Sequence, residues 1–210
     1  MNKIFALTLT AAAVLLAGTA PARAALSVDT GTPNGNAATA FAFDSNDSYA
    51  GQITFAADAT IQDISTHVLN GAAGETFTIA LYDDNAAHLP GTALYLATAT
   101  VDGTVNANGW NGVSGLAGWN VLAGSYWVGL EIGSMDTLGT ASSTGALLDR
   151  GVANPLVKTA FNSGSGYQTA TGLDFGLRVS SVSAVPEPSE TLLMLAGLVA
   201  LAPLVRKRLK

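Results

Sequence analysis

Short stretches in which apolar and polar residues alternate run through the middle of this chain, without the sustained 3.6-residue period of a surface helix. The clearest is residues 75–82, where Phe77, Ile79 and Leu81 fall on one side and Thr76, Thr78, Ala80 and Tyr82 on the other. Asp83-Asp84-Asn85 ends it, Leu89-Pro90-Gly91-Thr92 reads as a turn, and residues 93–101 return as the second strand of a hairpin. Residues 61–69 set Ile64, Thr66 and Val68 against Asp63, Ser65 and His67. Residues 125–132 set Tyr126, Val128, Leu130 and Ile132 against Trp127, Gly129 and Glu131. A last strand over 173–179 turns Leu173, Phe175, Leu177 and Val179 inward, and Phe41-Ala42-Phe43 and Gln52-Ile53-Thr54-Phe55 add two short ones. Residues 133–166 read mostly as loop, with apolar patches at Ala146-Leu147-Leu148 and Leu156-Val157. Roughly seven to nine strands with frequent turns predict an all-β fold: an antiparallel, jelly-roll-like β-sandwich with one shared interior and solvated outer faces.

The two ends break this pattern. Lys3 precedes residues 4–16, apolar except for Thr8 and Thr10, and Ala22-Arg23-Ala24 follows. That sequence predicts a signal peptide over residues 1–24, with Ala22 and Ala24 at the cleavage site. At the other end, Pro186-Glu187-Pro188 leads into the apolar residues 191–205 and then Arg206-Lys207-Arg208. The prolines fix φ and lack an N–H, so their segment should be extended and accessible. Residues 191–205 are apolar all round and predict a single transmembrane helix. Their length gives only ~22 Å of helix against a ~30 Å hydrocarbon core, which suits a temporary hold better than a permanent anchor. The basic run resists translocation and acts as the stop, which leaves the rest of the chain outside.

Between the ends, residues 26–183 make one domain with room for a core. Through Val185 this stretch holds thirteen acids and three bases (Arg150, Lys158 and Arg178), a formal charge of −10 against −6 for the whole chain. Such acidity excludes nucleic acid as a partner. The absence of cysteine excludes disulfides, thiolate metal sites and thiol catalysis.

The three-part tail over residues 184–210 resembles the PEP-CTERM sorting signal of exosortase-handled bacterial surface proteins, with Pro186-Glu187-Pro188 as its motif. The runs at residues 77–84, 89–92 and 124–128 are similar to β-sandwich ectodomains that often precede this signal, over about half of the domain. The resemblance implies an exosortase-type processing protease as partner and cleavage near the motif. It also implies a transient stay in the inner membrane of a Gram-negative cell, then release to the surface or an extracellular polysaccharide matrix. It carries no known activity.

Candidate chemistry is sparse. No nucleophile elbow, zinc-protease helix, P-loop or dinucleotide fingerprint occurs. His67 on a strand face and His88 in a hairpin loop read as ordinary exposed histidines. Glu75 and Glu131 read as solvated strand charges rather than as a glycosidase pair. No catalytic residue is assigned, and the chain reads as a non-enzymatic structural or matrix-associated surface protein, with an extracellular hydrolase as the third reading. Asp83 and Asp84, with Asn85, and Asp44, Asn46 and Asp47 supply oxygens suited to a structural calcium. Asp and Asn are also ordinary turn formers, and the EF-hand spacing is missing. No other cofactor is expected. Carbohydrate binding is the second reading: Trp110 and Trp119 lie among Gly and Asn residues, which together offer stacking faces and hydrogen-bonding groups. Core packing is the competing explanation of both tryptophans.

Overall fold

A computed structural model describes residues 24–44, 47–102, 109–139 and 145–183. These residues form β1 (Ala25–Asp29), β2 (Phe41–Ala42), β3 (Ser48–Phe55), β4 (Ala59–Leu69), β5 (Thr76–Asp84), β6 (Pro90–Thr100) and β7 (Gly109–Val113). The chain continues through β8 (Asn120–Val121), β9 (Gly124–Glu131), β10 (Leu147–Leu148), β11 (Thr159–Asn162), β12 (Gln168–Ala170) and β13 (Leu177–Ser183). Among the described residues there is no helix, and so none long and apolar enough to cross a membrane. The sorting motif, the apolar run 191–205, the basic Arg206, Lys207 and Arg208, and Ala22 lie outside the described residues.

The strands form two antiparallel sheets. In the larger, β4 is flanked on both edges: Ile64 lies between Val179 of β13 and Val113 of β7, and Ala59 between Ser183 and Val121 of β8. β1 pairs with the far edge of β13, while β10 and β2 continue the sheet past the start of β13. The smaller sheet runs β12-β11-β3-β9-β5-β6. Period-two alternation turns Ile53, Phe77, Ile79, Leu81, Val128 and Leu130 of this sheet toward Ile61, Ile64, Val68, Leu177 and Val179 of the other, in one buried cluster. Each large side chain in it contributes about 1.5–3 kcal/mol relative to exposure. The all-β, two-sheet architecture agrees with the sequence pattern.

Several details differ from it. In β4 the alternation changes phase: Ile61 and Ile64 are both fully buried because the register against β13 slips between Asp63 and Ile61, making Gln62 the extra residue of a bulge. The stretch 133–166, expected to be mostly loop, contributes β10 and β11, and Leu147-Leu148 completes an edge against Ala42 and Leu69. These strands are too short to show a period of their own. The last strand begins later than expected, at Leu177, because Phe175 instead makes an isolated bridge with Arg150. Outer faces are not uniformly solvated either: Ala50, Trp127 and Ala160 form a second buried cluster on the outside of the smaller sheet.

Candidate functional site

That second cluster is where the smaller sheet gathers its polar and aromatic side chains. Strand register sets Ala160, Ala50, Gly129 and Ala80 side by side across four strands, a row with almost no side-chain volume. The next row is Gln52, Trp127 and Tyr82. Tyr82 and Tyr167 fold over the small row, and a Cβ on Gly129 would lie 2.9 Å from Tyr82 Cε2 and 3.2 Å from the Tyr167 hydroxyl. Glycine at 129 therefore gives the two rings their place; they meet edge to face with centroids 5.8 Å apart.

Two carboxylates organise the face. Glu131 Oε1 accepts the hydroxyls of Tyr82 at 2.6 Å and Tyr167 at 2.5 Å. Burial, with the Glu131 carboxylate beside them, pushes both phenols well above the ordinary tyrosine range. Asp84 Oδ1 accepts the Trp127 indole N–H at 2.8 Å and the Gln52 amide at 3.1 Å, and Oδ2 lies 2.9 Å from His88 Nδ1. Burial raises the Asp84 carboxyl, but the His88 and Trp127 hydrogen bonds outweigh it and hold the group below its ordinary value. His88, with positive φ in the β5–β6 loop, is the exposed member. The arrangement gathers aromatic rings, an amide, an imidazole and two carboxylates on one sheet face, joined to one another by hydrogen bonds.

A second constellation sits on the outer face of the larger sheet. His67 Nδ1 lies 3.0 Å from Oδ2 of the fully buried Asp149. Asp149 also accepts the backbone N–H groups of Gly35 and Arg150. Trp110, paired with His67 in the ladder, meets that imidazole edge to face and carries the Arg178 guanidinium 3.9 Å above its ring. Burial lowers the His67 pKa, and the Asp149 carboxylate opposes that shift only in part.

The residues singled out from sequence are therefore dispersed. Trp119 is buried, not displayed: it stacks on Tyr95 with centroids 5.2 Å apart and belongs to the main core. Trp110 is half-buried, with one face taken by Arg178, and lies in a strand of the larger sheet. Trp127 is buried as well. His67 is packed rather than exposed, because Trp110 and Asp149 close over it. Glu75 is not solvated: it is 3 % exposed, and its carboxylate accepts the Ala72 N–H in the turn before β5. Glu131 lies apart from it on the outer face, half-buried under two tyrosines. Of the calcium candidates, Asp83 Oδ1 accepts the Thr92 N–H at 2.5 Å and Asp84 is engaged as above, so both bind protein donors. Among the described residues no group of three or more His, Cys, Asp or Glu could hold a metal. Ala24 is exposed just before β1.

Gln52, Tyr82 and Tyr167 were not expected in a site. Alternation alone assigns Tyr82 to the outer face, but its juxtaposition with Gln52 and Gly129 follows from register between strands distant in sequence. No protein-family model matches the chain, and no curated protein matches it either.

Proposed function

We propose that this chain is an exported, non-enzymatic protein of the cell surface or extracellular polysaccharide matrix, delivered by a PEP-CTERM-type signal over residues 184–210. In this reading residues 1–24 are a cleaved signal peptide, 191–205 hold the protein briefly in the inner membrane, and an exosortase-type protease cuts near Pro186-Glu187-Pro188. We read the sandwich as jelly-roll-like, a reading supported by the chain's change of sheet at most of its connections. The observation that carries the proposal is the three-part tail itself. One strand boundary fits it: β1 starts at Ala25, directly after the small-x-small site. Replacing Pro186, Glu187 and Pro188 with alanine tests it in the host. Accumulation of unprocessed chain in the inner membrane is expected, and normal release would reject the assignment.

A second reading, carbohydrate binding, is favoured by the Gln52–Asp84–His88 and Tyr82–Glu131–Tyr167 groupings on one sheet face. Polysaccharide pull-down separates this face from the tryptophans. Loss of binding in Tyr82→Phe and Gln52→Ala, with Trp110→Ala unaffected, places the ligand on the smaller sheet. The opposite pattern returns it to Trp110. Trp119→Ala is a control for folding, because its ring is part of the core.

A further inference from the structure

The chain holds four Asn-Gly pairs, in which a glycine without a Cβ leaves its nitrogen open to the preceding side-chain amide. Three lie among the described residues, and the fold treats them differently. Asn111, buried in β7, has its amide fixed at both ends: Oδ1 accepts the Asp102 N–H, and Nδ2 donates to the Gly109 carbonyl. Gly71 is buried against Val101 just after β4. Asn34 is instead exposed, in the connection between β1 and β2. Its side chain folds back over the peptide that follows it, so that Oδ1 accepts the Asn36 N–H at 2.9 Å. That turn brings Cγ toward the nitrogen of Gly35, whose N–H donates at 3.0 Å to Oδ2 of the fully buried Asp149. The Arg150 N–H holds Oδ1 of the same carboxylate, and Oδ2 also lies 3.0 Å from His67 Nδ1.

We propose that Asn34-Gly35 is a self-modification site, at which the folded chain promotes closure of a succinimide ring with Asp149 as the base. Three requirements of the step meet here. The turn supplies proximity, Asp149 is a base within hydrogen-bond reach of the attacking nitrogen, and the Asn36 N–H faces the oxygen that gains negative charge. Asp149 takes the Gly35 proton as the nitrogen bonds to Asn34 Cγ. The Cγ–Nδ2 bond then breaks, and Nδ2 leaves as ammonia with that proton. Water opens the ring on either side and leaves aspartate or isoaspartate at position 34. Isoaspartate adds a methylene to the main chain, which draws Gly35 away from Asp149 and the residue 34 N–H away from the Arg150 carbonyl. The inference rests on the fold and not on the sorting signal.

A turn that uses Asp149 only as an anchor would hold the Gly35 nitrogen back from Cγ and slow the reaction, so the native and unfolded chains give opposite answers. The detergent-solubilised full-length chain is incubated at neutral pH, native or unfolded in urea, and ammonia loss and isoaspartate are read for each peptide by mass spectrometry. Asn34 should convert at least about tenfold faster in the native chain than in the unfolded one. Asn111, with its amide fixed, should convert more slowly in the native chain. Folded Asp149→Asn should lose the native advantage at Asn34; if that variant does not fold, the wild-type comparison decides alone. A native rate at Asn34 equal to or below the unfolded rate would overturn the assignment and leave Asp149 as an anchor of the turn. An unchanged native rate in folded Asp149→Asn would overturn it as well.

Discussion

Trp127 and Asp84 are joined by a 2.8 Å hydrogen bond from the indole N–H to Oδ1, on the outside of the smaller sheet and away from the interior between the sheets. The tryptophan is 1 % exposed, so a large apolar ring is buried where a two-layer sandwich ordinarily meets water. Small neighbours make this work: Ala50 and Ala160 provide the floor, and Tyr82, Leu89 and Tyr167 the rim.

Removing the indole should therefore cost as much as a core substitution. Trp127→Phe loses a hydrogen bond to a carboxylate and leaves a gap, and we expect a loss of about 2–4 kcal/mol in urea unfolding. Asp84→Asn should show the same coupling through pH. The folded-state pKa of Asp84 is depressed, so its stabilisation is present above the ordinary value of 3.8 and is lost as pH falls through the lower folded value. The stability difference between wild type and Asp84→Asn should thus shrink on acidification below about pH 4. A difference independent of pH would show that the carboxylate charge has no part in holding Trp127.

His67 gives a second pH-dependent term in a different range. Burial depresses its folded-state pKa below the ordinary 6.5 despite the nearby Asp149. The unfolded chain takes up its proton first, so stability is full above 6.5 and declines as pH falls from there toward the lower folded value. Melting curves at stepped pH should show this decline in the wild type and a flatter profile in His67→Asn. Identical profiles would mean that His67 protonates equally in both states.

The sequence made the sandwich legible wherever a strand was long enough to display its period: the inward Phe77, Ile79 and Leu81 are all fully buried. It was silent at β10 and β11, although the equally short β2 was expected, and where a bulge reset the phase at Gln62. The face holding Gln52, Tyr82 and Glu131 was hidden for another reason. Its members come from three strands, and their adjacency depends on which strands pair and in what register, information that no local pattern contains. The two candidate tryptophans were ambiguous because burial and display use the same residue type, and only the surroundings of Trp110 and Trp119 separate the two.

Two glycines offer a graded test of packing. A Cβ on Gly112 would lie 2.1 Å from the Ile64 carbonyl oxygen and 2.6 Å from Ser65 Cα, backbone atoms that cannot step aside without opening the β4–β7 ladder. At Gly129 the added atom would meet mainly the Tyr82 ring at 2.9 Å, a side chain that can shift. We expect Gly129→Ala to cost about 1–3 kcal/mol and Gly112→Ala more, as read from denaturant midpoints. The reverse order would contradict the packing described for the two faces.

The most direct test of the function proposed here is the intact mass and location of the protein recovered from its own host, with and without the host's exosortase. We expect a released product that starts at or next to Ala25 and lacks residues 191–210, and an inner-membrane form that keeps them when the exosortase is absent. A chain that retains residues 191–210 in the inner membrane under both conditions would contradict the sorting assignment, and with it the surface or matrix role.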